Sequence, residues 1–179
     1  MCDPHDHSSG FGLICTQDQQ MYPRPMNDDI DFACEILRRV QANVKPTFTG
    51  LGLVLYEPPL QLPVASLGDQ ALFMPSLPVS NAQTISELLS AISHASSPWH
   101  DGFHLIDVRL RALTHVSQFL APPVELLEHP CTGQLPVGAR YLAALAGSRI
   151  ESVACTALLG SRGSLEVFLA GKQIRLDTP

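Results

Sequence analysis

Apolar residues at Ile30, Ala33, Leu37 and Val40 recur at helical spacing, with Asp28 and Asp29 ahead of them and Arg38 and Arg39 behind. Acids at the start and bases at the end complement a helix dipole, so the pattern predicts an amphipathic helix over 28–40. After Pro46, the run from Thr49 to Tyr56 reads as a buried strand stopped by Glu57-Pro58-Pro59. Prolines interrupt Leu60 to Val79, where Ala71-Leu72-Phe73-Met74 is expected to form a short strand. Ser80-Asn81-Ala82-Gln83 fits a capping box with Ser80 as the cap, and Ile85, Leu88, Leu89 and Ile92 then share one helical face in a segment closed by Pro98. Gly102 to Asp107 and Arg109 to Phe119 read as strands paired around a tight turn, and Ala121 to Pro136 as irregular. A helix follows over Gly138 to Ala146, ending near Gly147. Val153 to Leu159, a turn at Ser161-Arg162-Gly163, Leu165 to Ala170 and Gln173 to Leu176 make a β-rich tail. Helices alternate with strands early and hairpins follow late, which predicts an α/β (α+β) fold: a mixed twisted β-sheet flanked by helices.

Composition narrows the function classes. The chain has 179 residues, 45% of them hydrophobic and 16% charged, which suits one globular domain rather than a disordered segment. Its net charge of −6, with 11 basic residues, argues against nucleic-acid binding through the phosphate backbone. A small anionic ligand stays compatible with that charge, since one Arg and a helix N-terminus suffice to hold a phosphate. The five cysteines are widely spaced without a Cys-x-x-Cys pair, so a reducing cytoplasm is the expected setting. No apolar run is long enough for a membrane span. Residues 1–27 read as a flexible arm, and 28–179 as the folded domain. The Cys-Asp-Pro-His-Asp-His cluster within that arm reads as adventitious rather than as a metal site. Phe11 to Cys15 is an apolar island that either adds an edge strand or docks on the domain.

The stretch Ser97-Pro98-Trp99-His100-Asp101-Gly102-Phe103 is where chemistry is expected, because it places a carboxylate in the turn between a helix and a strand, at a sheet edge. It resembles the Ser-Pro-Leu-His-Asp-Gly-Ala motif of the diadenylate cyclase domain, found in the DNA-integrity-scanning protein and in related bacterial cyclases that join two ATP molecules into cyclic di-AMP. Gly138-Ala139-Arg140-Tyr141-Leu142-Ala143-Ala144-Leu145 is similar to that family's Gly-Thr-Arg-His-Arg-Ala-Ala-Leu. Thr49 to Tyr56 is similar to its first core strand, and Leu165 to Arg175 to its terminal hairpin, so the resemblance spans roughly residues 28–176. It implies two domains facing each other as a homodimer, each presenting one ATP. Asp101 would then bind a divalent metal, Mg or Mn, and activate a ribose hydroxyl, while Arg140 would hold phosphate. The expected ligand-binding set is Asp101, Gly102, Phe103, Gly138, Arg140, Tyr141 and Arg162, with Phe103 and Arg162 entering as departures from the family pattern.

Against that family pattern, Tyr141 stands for a His, Leu142 for the second Arg and Ala139 for a Thr, so much of the phosphate clamp is lost. The acidic Ser-Glu-Glu-Thr-Gly turn aligns with Leu159-Gly160-Ser161-Arg162-Gly163, which puts an arginine where carboxylates stood. Losing one electrostatic stabiliser typically costs ~2.7–4 kcal/mol of transition-state energy, so several losses work against cyclisation. Phe103 in place of Ala either fills space beside Asp101 or offers a stacking face, and Arg162 offers a replacement positive charge. His104 reads as a strand residue in an apolar position, His100 as a turn former or an acid/base partner of Asp101, and Cys155 as a buried small hydrophobe. The leading expectation is a degenerate domain that binds an adenine nucleotide or cyclic dinucleotide as a sensor or regulatory module. The alternatives are an active divergent cyclase and a protein-interaction module without nucleotide.

Overall fold

The structure, a computed structural model, describes residues 26–127 and 138–176. The arm expected over 1–27, with its Cys/His cluster and its apolar island, lies almost entirely outside the described residues. So does most of the irregular stretch before residue 138.

Eight strands form one mixed sheet in the order β2-β5-β4-β1-β6-β7-β8, with β3 also paired to β5. They are β1 (Leu51–Tyr56), β2 (Val64–Ser66), β3 (Val79–Ser80), β4 (Phe103–Asp107), β5 (Ala112–Leu120), β6 (Val153–Leu159), β7 (Leu165–Leu169) and β8 (Lys172–Ile174). Only β1 and β4 run parallel; every other pair is antiparallel. The helix predicted over 28–40 is α1 (Met26–Gln41), α2 spans Ala82–Ile92, and α3 spans Ala139–Gly147. Strand β1 is buried at all six positions, consistent with a central strand covered on both faces. Its alternate residues feed two cores. Leu51, Leu53 and Leu55 pack with α1 and α2 residues such as Ile36, Leu37, Ile85 and Leu89, while Val54 and Tyr56 pack with Ala144 of α3, Phe103 and Phe168.

Four sequence expectations shift. Ala71 to Met74 is not a strand: Gln70–Leu72 is a turn of 3₁₀ helix started by Asp69, whose side chain accepts from the Ala71 amide. The cap of α2 is Asn81 rather than Ser80, since Asn81 Oδ1 accepts from the Gln83 amide at 2.8 Å while Ser80 belongs to β3. That helix stops at Ser93, well before Pro98, because residues 93–95 turn aside to meet the backbone of residues 47–49. The junction after it feeds β4, an interior strand, so Asp101 stands at an end of the sheet and not at its edge.

Candidate functional site

The parallel pairing of β1 and β4 brings the starts of both strands to the same end of the sheet, with Leu53 opposite His104. Antiparallel β6 ends there too, Leu159 opposite Leu51. Three loops therefore converge: residues 47–50 before β1, the junction 96–102 before β4, and the turn 160–164 after β6. Helix α3 crosses the far face of the sheet from α1 and α2, anchored by Thr156 Oγ1, which donates to the Ala144 carbonyl at 2.7 Å.

Asp101 and Arg140 meet where these loops converge. Arg140 Nη2 donates to Asp101 Oδ1 at 2.9 Å, with the arginine side chain 28% exposed and the carboxylate 71%. The Gly102 amide donates to the same Oδ1 at 2.7 Å. That amide holds the Asp101 carboxyl below the usual carboxylate range; desolvation opposes it, and the Arg140 hydrogen bond and charge add smaller lowering effects. Gly102 has φ of +80°, and a Cβ there would stand 2.6 Å from the Gln118 carbonyl, so only glycine allows this approach.

Gly50 is the site residue that the sequence did not single out. Its φ is +94°, and a Cβ there would lie 3.1 Å from Arg140 Nη1 and 3.2 Å from the Leu159 carbonyl. A bare backbone at Gly50 thus leaves room for the guanidinium; a glycine directly before an apolar strand was its signal. The turn that carries Arg162 is close as well, the Ser161 amide being 3.5 Å from the same Cβ position. Arg162 itself is exposed and makes no ion pair among the described residues. The Gly163 carbonyl, next to it, accepts from Gln41 Nε2 at 2.7 Å, which fastens the turn to α1.

The other expected site residues divide. Gly138 caps α3 without any side-chain cap hydrogen bond, so nothing from the cap residue competes for the first amides of that helix. Tyr141 is turned to the β7–β8 hairpin: its ring meets Phe168 edge-on at 5.0 Å and its hydroxyl donates to Gln173. Phe103 is 3% exposed, and its ring lies where a side chain at Gly52 would be, 2.7 Å from that Cβ position. Of the two roles considered for this ring, filling space is the one the packing supports. His100 Nδ1 is bound to the Ser97 carbonyl within its own turn. His104 is fully buried, its Nδ1 accepting from the Ser117 amide at 3.4 Å and its Nε2 left without a partner. Cys155 is 1% exposed, and burial pushes its thiol up to about 12.

No group of three or more His, Cys, Asp or Glu side chains converges among the described residues. Among the described residues, Asp101 is the carboxylate paired with Arg140. Such a donor set suits a magnesium or manganese ion that arrives with phosphate oxygens and water in its shell, and does not suit an ion held by protein alone.

No protein-family model matches the chain, and no curated protein matches it. A search of solved structures does find a counterpart, the crystal structure of a double mutant of DacA from Staphylococcus aureus, at 21% identity. The match has a TM-score of 0.53 and covers 83% of this chain and 88% of that one. The fold is DacA-like. That likeness is one of fold, and the mixed sheet with its flanking helices agrees with the fold class expected from the sequence. No helix among the described residues is long and apolar enough to cross a membrane.

Proposed function

We propose that this domain binds an adenine nucleotide or cyclic dinucleotide at the Asp101–Arg140 pair and acts as a sensor or regulatory module rather than as an efficient cyclase. The observation that carries the reading is the 2.9 Å pair itself, two matched charges held half in solvent where three loops and the uncapped start of α3 converge. A ligand phosphate would take Arg140 and the α3 amides, whose dipole favours an anion. A divalent ion arriving with that phosphate would take Asp101, supplying charge neutralisation at the phosphate. Two copies facing each other would present two such pairs to a dinucleotide.

The reading against catalysis rests on what surrounds the pair. Leu142 and Ala139 offer no polar side-chain atom to a transferring phosphate, and Tyr141 is engaged by Phe168 and Gln173. The turn beside Arg140 supplies Ser161 and Arg162 but no carboxylate to share a metal with Asp101. Little would then stabilise charge on a pentacoordinate phosphorus. Calorimetry with ATP and cyclic di-AMP, each with and without Mn²⁺, tests binding, and a parallel incubation with ATP tests turnover. Binding without product is the expected result. Accumulating cyclic di-AMP would establish the active-cyclase alternative, and silence in both assays would leave the interaction-module alternative standing.

A further inference from the structure

The junction that carries Asp101 is fastened to the sheet by an irregularity in β5. Between the Phe103–Gln118 and Leu105–His115 pairs, two steps along β4 match three along β5, so one residue of β5 is extra. Side chains and a neighbouring loop take up the backbone groups displaced there. Gln70 Oε1 accepts from the Val116 amide at 3.1 Å, Gln118 Nε2 donates to the Val116 carbonyl at 2.7 Å, and the Leu67 amide donates to the Ser117 carbonyl at 2.9 Å. His104 Nδ1 receives the Ser117 amide, which assigns the ring proton to Nε2.

Ser117 sits at φ of +48°, a left-handed conformation that carries a steric cost for a non-glycine residue. Glycine would relieve that cost, yet the residue present has a hydroxyl, and the hydroxyl is used. It is 1% exposed and shares its proton between the Trp99 carbonyl at 2.8 Å and the Asp101 carbonyl at 3.0 Å. These two carbonyls bracket the turn that presents the carboxylate. The adjacent Gln118 carbonyl closes against Gly102 from the same bulge. We propose that Ser117 is the positioning residue of the Asp101–Arg140 site: its buried hydroxyl fixes the main chain of the junction and so keeps the carboxylate within reach of the guanidinium.

The inference rests on reading that pair as a ligand site, but its test needs no ligand and so separates the two. Ser117→Gly in the full chain suits the backbone and removes the CH2OH side chain, whose hydroxyl is the group that bonds the junction. Side-chain nitrogen NMR of Arg140 reports the contact, because a held guanidinium gives resolved Nη signals and a freed one gives averaged signals; Asp101→Ala supplies the freed reference. The expected result for Ser117→Gly is a well-dispersed spectrum with Arg140 collapsed to that reference, and exchange of the Gly102 amide about fivefold faster through loss of one buried hydrogen bond. A purely structural role would move the melting temperature and leave the Arg140 signals as in the parent. If the glycine variant does not fold, Ser117→Cys is read by the same signals, since it keeps the parent's backbone demand with a weaker donor. Parent-like Arg140 signals in a folded variant overturn the proposal. Failure of nucleotide calorimetry with the shift present would sink the ligand reading alone.

Discussion

Arg140 Nη2 lies 2.9 Å from Asp101 Oδ1, so the two groups suited to a phosphate and to its cation hold each other. A metal-free anion must compete with Asp101 for the arginine, and a free cation must compete with Arg140 for the carboxylate. The two should therefore bind together better than either alone.

Replacing Asp101 by Asn separates these demands. With the carboxylate 71% exposed, the pair is worth at most about 1 kcal/mol, so the gain for a metal-free phosphate is capped near fivefold. Metal-dependent affinity should fall in the same variant. Calorimetry with ATP, run with and without Mn²⁺, checks both signs, and a loss of affinity in both arms would show that Asp101 does not act as the counter-ion of Arg140.

For Arg140→Gln the expected direction is one of loss only. Charge-assisted hydrogen bonds contribute ~1.5–3 kcal/mol, so nucleotide affinity should drop by roughly ten- to a hundredfold. Arg140→Lys should recover little, because an ammonium cannot span from Gly50 to Asp101 as the planar guanidinium does. Full recovery by lysine would mean that only net charge matters at this position.

How much of this was legible in the sequence follows from which forces act locally. The helix at α1 and the strand at β6 were readable because their apolar spacing matches burial, and the mixed sheet was expected, whereas its strand order was not. Asp101, Gly102 and Arg140 were readable as motif positions. Gly50 was not, because its reason is a guanidinium that arrives from residue 140. Ser117 was missed for the same cause: its partners Trp99 and Asp101 lie 16 to 18 residues away across an irregular pairing with no periodic signature. Tyr141 was expected at the ligand, and its edge-on contact with Phe168 could not be read from the sequence because that partner lies 27 residues away.

Phe103 and Gly52 give a packing prediction. A Cβ on Gly52 would come within 2.7 Å of the Phe103 ring, so Gly52→Ala should destabilise the fold. Phe103→Ala, the residue of the resembled motif, should cost ~3–5 kcal/mol through the cavity it opens. The double variant should cost less than the sum of the two, as expected for side chains competing for one space. Urea unfolding of the four proteins measures the coupling, and strict additivity would place the ring elsewhere.

Burial holds His104 neutral, its pKa pushed down from 6.5 to about 3, first by desolvation and then by the nearby Arg140 charge. Because the folded value lies below the unfolded one, the unfolded chain binds the proton first as the solution is acidified. Stability from this residue is complete above pH 6.5 and is lost on the way down towards pH 3. The slope is about 1.4 kcal/mol per pH unit, so roughly 2–3 kcal/mol should disappear between pH 7 and pH 4.5. His115, also lowered by burial, adds to the acid loss with the same sign, and the depressed Asp101 adds little because it is largely exposed. His104→Leu removes one titrating group and leaves the others. Its loss of the Ser117 amide contact is a fixed offset at all pH values, whereas the gap to the parent should move in the variant's favour by roughly 2–3 kcal/mol as the pH drops to 4.5. Urea unfolding at the two pH values decides it, since parallel shifts in the two proteins would mean that His104 takes up its proton in the folded state.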